Sequence, residues 1–115
     1  MEPVFRDGNI LLLKKWGTPE KRDIVTAYID ETDCMVVKRV LGAEGDCIKI
    51  SSEGIYLNGD KVAEPASGGQ EEQEILLSAG QYFLIGDNQG ISRDSRIFGY
   101  IEKSAVRGIV ICKLF

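Results

Sequence analysis

The 115-residue chain contains no histidine. An imidazole-activated serine or cysteine nucleophile is therefore excluded, and so is any metal site built on histidine ligands. Cysteine is scarce as well. Cys34, Cys47 and Cys112 are odd in number, far apart and without a Cys-x-x-Cys pair, which argues against a zinc site or a disulfide framework. All three stand in β-like apolar stretches and read as buried structural thiols. The longest aliphatic run, Ile10-Leu11-Leu12-Leu13, is far short of the ~20 residues a spanning helix needs. No charged segment followed by an apolar one marks a targeting signal at the N-terminus. Lys and Arg number 14 against 18 Asp and Glu, giving a net charge of -4, and the cations are scattered along the chain. No basic stripe is offered to a phosphate backbone, so a nucleic-acid partner is not expected.

What the chain does hold, 43% hydrophobic and 28% charged residues, suits one globular domain with a modest core over residues 1–115. Short β-branched and aromatic runs recur from end to end: Ile10–Leu13, Ile24–Ile29, Cys34–Leu41, Cys47–Ile50, Ile55–Leu57, Ile75–Leu77, Tyr82–Ile85, Phe98–Ile101 and Val106–Phe115. No stretch of helical length keeps a 3.6-residue period, and Glu102–Val106 offers one helical turn at most. The fold class is all-β. Asn58-Gly59 has the residue pair that tolerates positive φ at both centres of a type I′ turn, and Ser52-Glu53-Gly54 separates two further runs, giving a small meander. Pro65–Glu74 is polar, glycine-containing and acidic, and reads as a mobile surface loop whose Glu71, Glu72 and Glu74 are solvated.

Two segments could carry chemistry. Lys38 stands among Val36, Val37, Val40 and Leu41 on a strand. Desolvation disfavours a charged amine, so burial there would move Lys38 toward the neutral form that can take a proton from a serine hydroxyl. The alternative is a strand lysine facing solvent on the side opposite Val37. The second segment runs Gly86-Asp87-Asn88-Gln89-Gly90-Ile91-Ser92-Arg93-Asp94-Ser95-Arg96. Gly86-Asp87-Asn88 makes a sharp turn after an apolar strand. Asp94 and Arg96 could brace the loop as a pair, or form a surface ion pair, and Ser92 could orient an amine or serve as a turn hydroxyl. Gly42-Ala43-Glu44-Gly45-Asp46 is too short for a phosphate-binding loop. Asp30-Glu31-Thr32-Asp33 is an acidic turn without calcium-loop spacing.

These blocks resemble the bacterial type I signal peptidases, membrane-anchored serine proteases that remove signal peptides from exported proteins. The matching segments are Met1-Glu2-Pro3, Gly8, Ile10–Leu13, Arg22–Val25, Lys38-Arg39-Val40-Leu41-Gly42, Gly45-Asp46, Asn58-Gly59, Glu64-Pro65, Gly86-Asp87-Asn88, Ser92, Asp94-Ser95-Arg96, Phe98-Gly99 and Gly108, in the family's order. The resemblance implies a signal-peptidase-like fold of short antiparallel strands forming a partly open barrel or sandwich. It makes Lys38 the general base and Ser92 the hydroxyl that positions its amine. Asp94, Arg96, Arg39, Gly86, Asp87 and Asn88 become supports of the site. Met35, Val36 and Val37 match the strand edge that pairs with an extended substrate, and Met1, Pro3 and Phe5 join them in substrate binding, with Phe5 and Val37 walling a shallow pocket for small residues such as alanine.

In the family the nucleophilic serine directly precedes the methionine that Met1 matches. The resemblance therefore implies that the nucleophile, the membrane helix and part of the oxyanion hole stand ahead of Met1, and that these residues alone form an inactive catalytic core. Ser92 and Ser95 are rejected as substitutes, since no oxyanion-hole donors surround either. The partners implied are signal peptides of secreted preproteins and, through that helix, the bacterial cell membrane, with the catalytic domain on its extracytoplasmic face. No cofactor and no metal are expected. The short Pro65–Glu74 loop, in place of a large insertion, resembles the Gram-positive form. Two other readings are a self-cleaving SOS-type repressor, which lacks the Gly-Asp-Asn and Asp-Ser-Arg block, and a non-catalytic pilus-type assembly factor, which would gain nothing from burying Lys38.

Overall fold

The structure, a computed structural model, describes residues 11–15, 17–30, 33–65, 72–86 and 95–113. Among these the elements run β1 (Leu11–Lys14), β2 (Ile24–Ile29), β3 (Cys34–Gly42), β4 (Cys47–Ser51), β5 (Gly54–Leu57), β6 (Asp60–Ala63), β7 (Gln73–Leu76), β8 (Gln81–Ile85), α1 (Ser95–Phe98), β9 (Ile101–Glu102) and β10 (Val106–Lys113). A 3-10 turn over Lys103–Ala105 joins the last two strands. All pairings are antiparallel and make two sheets, one ordered β1-β10-β2-β3-β8-β9 and the other β6-β5-β4-β7. Neither sheet closes on itself, so the all-β fold is an open two-sheet assembly.

The unbroken apolar run of β8 explains how the sheets are joined. A strand buried on both faces needs hydrophobic residues at every position. Alternation sends Tyr82 and Leu84 to one core, with Val25, Ala27 and Ile29 of β2, Val40 of β3 and Ile101 of β9. Phe83 and Ile85 go to the other, with Ile48, Ile50, Ile55, Ala63 and Leu77. Strand β3 divides likewise, Val40 entering the first core and Leu41 packing on the second. At its end a Cβ on Gly42 would lie 3.0 Å from Ile48 Cδ1 and 3.1 Å from Leu77 Cδ1, so any side chain there would have to displace core atoms.

The meander forms as its turns dictate. Asn58 and Gly59 take φ values of 51° and 95° between Leu57 and Asp60, which face each other across β5 and β6, as a type I′ hairpin requires.

Three expectations need correction. Phe98–Ile101 is not a strand: Phe98 ends α1, Gly99 at φ 82° donates its N–H to Ser95 O at 2.9 Å, and only Ile101–Glu102 pair with β8. A short apolar run carries no periodicity that separates a helical turn from a strand. The cysteines are not uniformly buried, since Cys34 is exposed and Cys47 half-buried, while the side chain of Cys112 lies outside the described residues. Strand β7 begins at Gln73, inside the expected loop, and Glu72 forms an ion pair with Lys49 at 3.1 Å.

Thr26 of β2 is 7% exposed, and its Oγ1 has no hydrogen-bond partner among the described residues. A desolvated hydroxyl without a partner is destabilising, and valine keeps its shape. We expect Thr26→Val to raise the unfolding free energy by about 1 kcal/mol in urea denaturation; a loss of stability would mean that the hydroxyl is bonded.

Candidate active site

Pairing register decides where Lys38 points. Lys38 stands opposite Val25 of β2, and residues directly opposite in an antiparallel pair project from the same face. Val25 is fully buried in the first core, and Val36 and Val40, two positions to either side of Lys38, also face that core. Lys38 therefore projects from the core face of β3 rather than from the solvent face, and it is half-buried there.

The same residue marks the end of a ladder. On its other side β3 pairs with β8 through Arg39↔Ile85, Val40↔Leu84 and Gly42↔Phe83, and the pairing goes no further. Cys34–Lys38 keep β2 on one side and have no strand on the other among the described residues. An edge of this kind presents backbone N–H and C=O groups to an extended peptide. Val36 shares the Lys38 face, and Met35 and Val37 lie on the opposite one, so a peptide paired here would find side chains of β3 on both faces.

The segment that carries Ser92 leaves the described structure at buried Gly86, directly after Ile85, and re-enters at Ser95. Both anchor points are fixed. Ser95 is 1% exposed, and its Oγ accepts the Leu84 N–H at 2.8 Å, on the side of β8 where β9 has already ended. A hydroxyl so buried and engaged is a poor nucleophile and a good strand cap. Arg96 is 2% exposed and donates from Nη1 to Glu64 O at 3.2 Å, tying α1 to the chain just past β6. Its guanidinium thus lies in the interior rather than on the surface. Asp87, Asn88, Ser92 and Asp94, and likewise Met1, Pro3 and Phe5, lie outside the described residues.

Arg39, next to Lys38, donates to Arg22 O at 3.1 Å. The Arg22-Asp23 turn is held to β3 by two backbone bonds, Arg22 N to Val40 O at 2.9 Å and Val40 N to Asp23 O at 2.8 Å.

A second network was not foreseen. Asp46, buried between β3 and β4, accepts from Ala43 N at 2.9 Å, Asn58 Nδ2 at 3.0 Å and Lys21 Nζ at 3.3 Å. Asn58 also accepts the Cys47 N–H through Oδ1 at 2.8 Å, so the hairpin turn is locked to the turn that ends β3. Desolvation by burial acts to raise the Asp46 pKa, but the hydrogen bonds from Ala43, Asn58 and Lys21 outweigh it and hold the carboxyl below the ordinary carboxylate range. The signal in the sequence was the Asp twelve residues before an Asn-Gly turn, which no local rule connects. Cys47 is no rival nucleophile: desolvation, and then the Glu74 carboxylate 3.6 Å from its Sγ, push its thiol up and keep it protonated.

A family model described as "Signal peptidase, peptidase S26" matches residues 1–115. The chain belongs to this family. Signal peptidase I V of Bacillus subtilis (strain 168) is 32% identical over 131 residues, covering 96% of this chain and 77% of the relative. Signal peptidase I of Bacillus licheniformis is 34% identical over 126 residues, covering 94% of this chain and 68% of the relative. In fold, a crystal structure of a signal peptidase I from Enterococcus faecalis V583 superposes with a TM-score of 0.60 at 23% identity, covering 81% of this chain and 97% of that one. The family's open β fold is therefore the setting in which Lys38 faces the first core.

Two expectations follow for the supports of the site. Replacing Arg96 with lysine should lower the unfolding free energy by about 2–4 kcal/mol, because the compact ammonium cannot span the donor positions of the guanidinium in a buried site; stability within 0.5 kcal/mol of the parent, as a rough bound, would show the guanidinium to be dispensable. Ionised Asp46 is favoured by folding, so its contribution is full above the ordinary carboxylate pKa of about 3.9 and is lost as pH falls through the lower folded value. Asp46→Ala should cost about 1–3 kcal/mol near neutral pH, and Asp46→Asn should flatten the acid limb of the stability profile; an unchanged acid limb would count against this role.

Proposed function

We propose that this chain is the catalytic core of a serine endopeptidase that removes signal peptides from exported preproteins, cleaving after small residues in Ala-X-Ala segments with Lys38 as general base. The observation that carries this reading is the placement of Lys38: half-buried, on the core face opposite Val25, at the point where β8 parts from β3. A preprotein segment adds to the Met35–Val37 edge as an extended strand, and its scissile bond comes to rest beside the Lys38 amine. Pairing through the backbone holds the peptide extended, and shallow pockets on the two faces favour small side chains.

Lys38 in its neutral form takes the proton of a serine hydroxyl, which attacks the scissile carbonyl carbon, and then returns that proton to the departing amine. That serine is expected directly ahead of Met1. Ser92 positions the Lys38 amine, and Asp94 with buried Arg96 braces the segment between Gly86 and Ser95. Arg39 and the Arg22-Asp23 turn fix the height of β3 beside the amine. Among the described residues no helix is long and apolar enough to cross a membrane. The family is membrane-associated, and we assign the core to the extracytoplasmic face of the bacterial membrane, where preproteins emerge.

The test uses the chain carrying Gly-Ser-x-Ser directly ahead of Met1 and a fluorogenic Ala-X-Ala peptide. Cleavage is expected after the second alanine, and Lys38→Met should lower kcat by about 10²–10⁴-fold without unfolding the protein. Full activity in Lys38→Met would dismiss the lysine base, and binding of a peptide without cleavage in the parent would favour an assembly factor.

A further inference from the structure

Lys14 and Lys15, neighbours in the chain, and the distant Lys103 line a cleft of about 210 Å³ together with Gly17, Pro19, Val106, Gly108 and Ile109. No Asp or Glu lines it, and among the described residues none of the three ammonium groups has a carboxylate in ion-pairing range. Lys14 folds over Gly17, where a Cβ would lie 2.9 Å from its Cε and 3.2 Å from its Nζ. Lys103 approaches the next residue, its Nζ donating to Thr18 Oγ1 at 3.3 Å. The backbone N–H of Lys103 is held by Gly80 O at 2.7 Å, so its stem starts from a fixed point.

Like charges repel, and among the described residues these gather without a counter-charge, on a chain whose net charge is -4. An oxyanion in the cleft removes that repulsion. Lysine serves phosphate as a point charge. The walls of Val106 and Ile109 leave one side of the cleft apolar. We infer that Lys14, Lys15 and Lys103 form an anion site for a phosphate group, either free or in the headgroup of an anionic phospholipid. The site is separate from Lys38 and does not depend on the peptidase reading.

The experiment uses the 115-residue chain as it stands. Inorganic phosphate, titrated at ionic strength held constant with chloride, is expected to shift the amide signals of Lys14, Gly17, Thr18 and Lys103 in ¹⁵N–¹H spectra. These shifts should vanish in the Lys14→Gln/Lys103→Gln variant and persist in Lys61→Gln, a change on the distant β5–β6 hairpin. Cosedimentation with phosphatidylglycerol–phosphatidylcholine vesicles, against phosphatidylcholine alone, separates the two sources. A preference for the anionic vesicles that falls about fivefold for each lysine removed supports the site with a lipid headgroup as its ligand. Phosphate-dependent shifts without that preference support it with free phosphate. Absence of both responses, equal shifts with chloride alone, or a vesicle preference unchanged in the double variant overturns it.

Discussion

Pairing of β3 with β8 runs only from Arg39 to Gly42, and both strands carry side chains into two cores across that short overlap. Everything else in the molecule is arranged around this shared pair. The first core lies on one of its faces, the meander of β4, β5 and β6 packs against the other, and β7 completes the second sheet. Because the overlap is short, β3 emerges from it still paired with β2 and, among the described residues, with no strand on its other edge. Lys38 is the first residue past the overlap. Its half-buried setting and the end of the β3–β8 ladder thus have one cause, the early departure of β8.

Buried polar groups keep that departure in place. Ser95 caps Leu84 where β9 has ended, Arg96 ties the following helical turn to the carbonyl of Glu64, and Asp46 joins the end of β3 to the Asn58 turn. Each would be costly if left without partners, and each has them. A buried guanidinium or carboxylate adds modestly to stability but penalises any arrangement in which its partners move. The course of β3 and β8 beside Lys38 is therefore specified in part by buried polar groups on neighbouring turns.

Much of the fold was legible because its strands are marked by strong local rules. β2 appeared in its full extent from Ile24 to Ile29, the Asn58-Gly59 turn was evident from residue type, and β8 stood out as an unbroken apolar run. Legibility failed where the local sequence is compatible with two conformations, as at Phe98, or where burial depends on sheet position, as at Cys34. The site was legible in part. Lys38 and Arg96 were singled out, but alternation alone left Lys38 free to face either way. The Asp46 network was missed because its members come from three separate turns.

The sequence by itself determined the all-β class, the absence of imidazole chemistry and the identity of the lysine that belongs to the family's motif, since these depend on residue types and short-range periods. Tertiary structure alone decided which face of β3 the lysine uses, because a period of two has no sign until a neighbouring strand sets the register. It likewise decided that Arg96 is buried and that Lys103 meets the Lys14-Lys15 pair, nearly ninety residues away in the chain, in one cleft. Charge along a sequence says nothing of convergence; β1 and β10 must pair before the lysines at the end of β1 share a space with Lys103 of the turn that leads into β10.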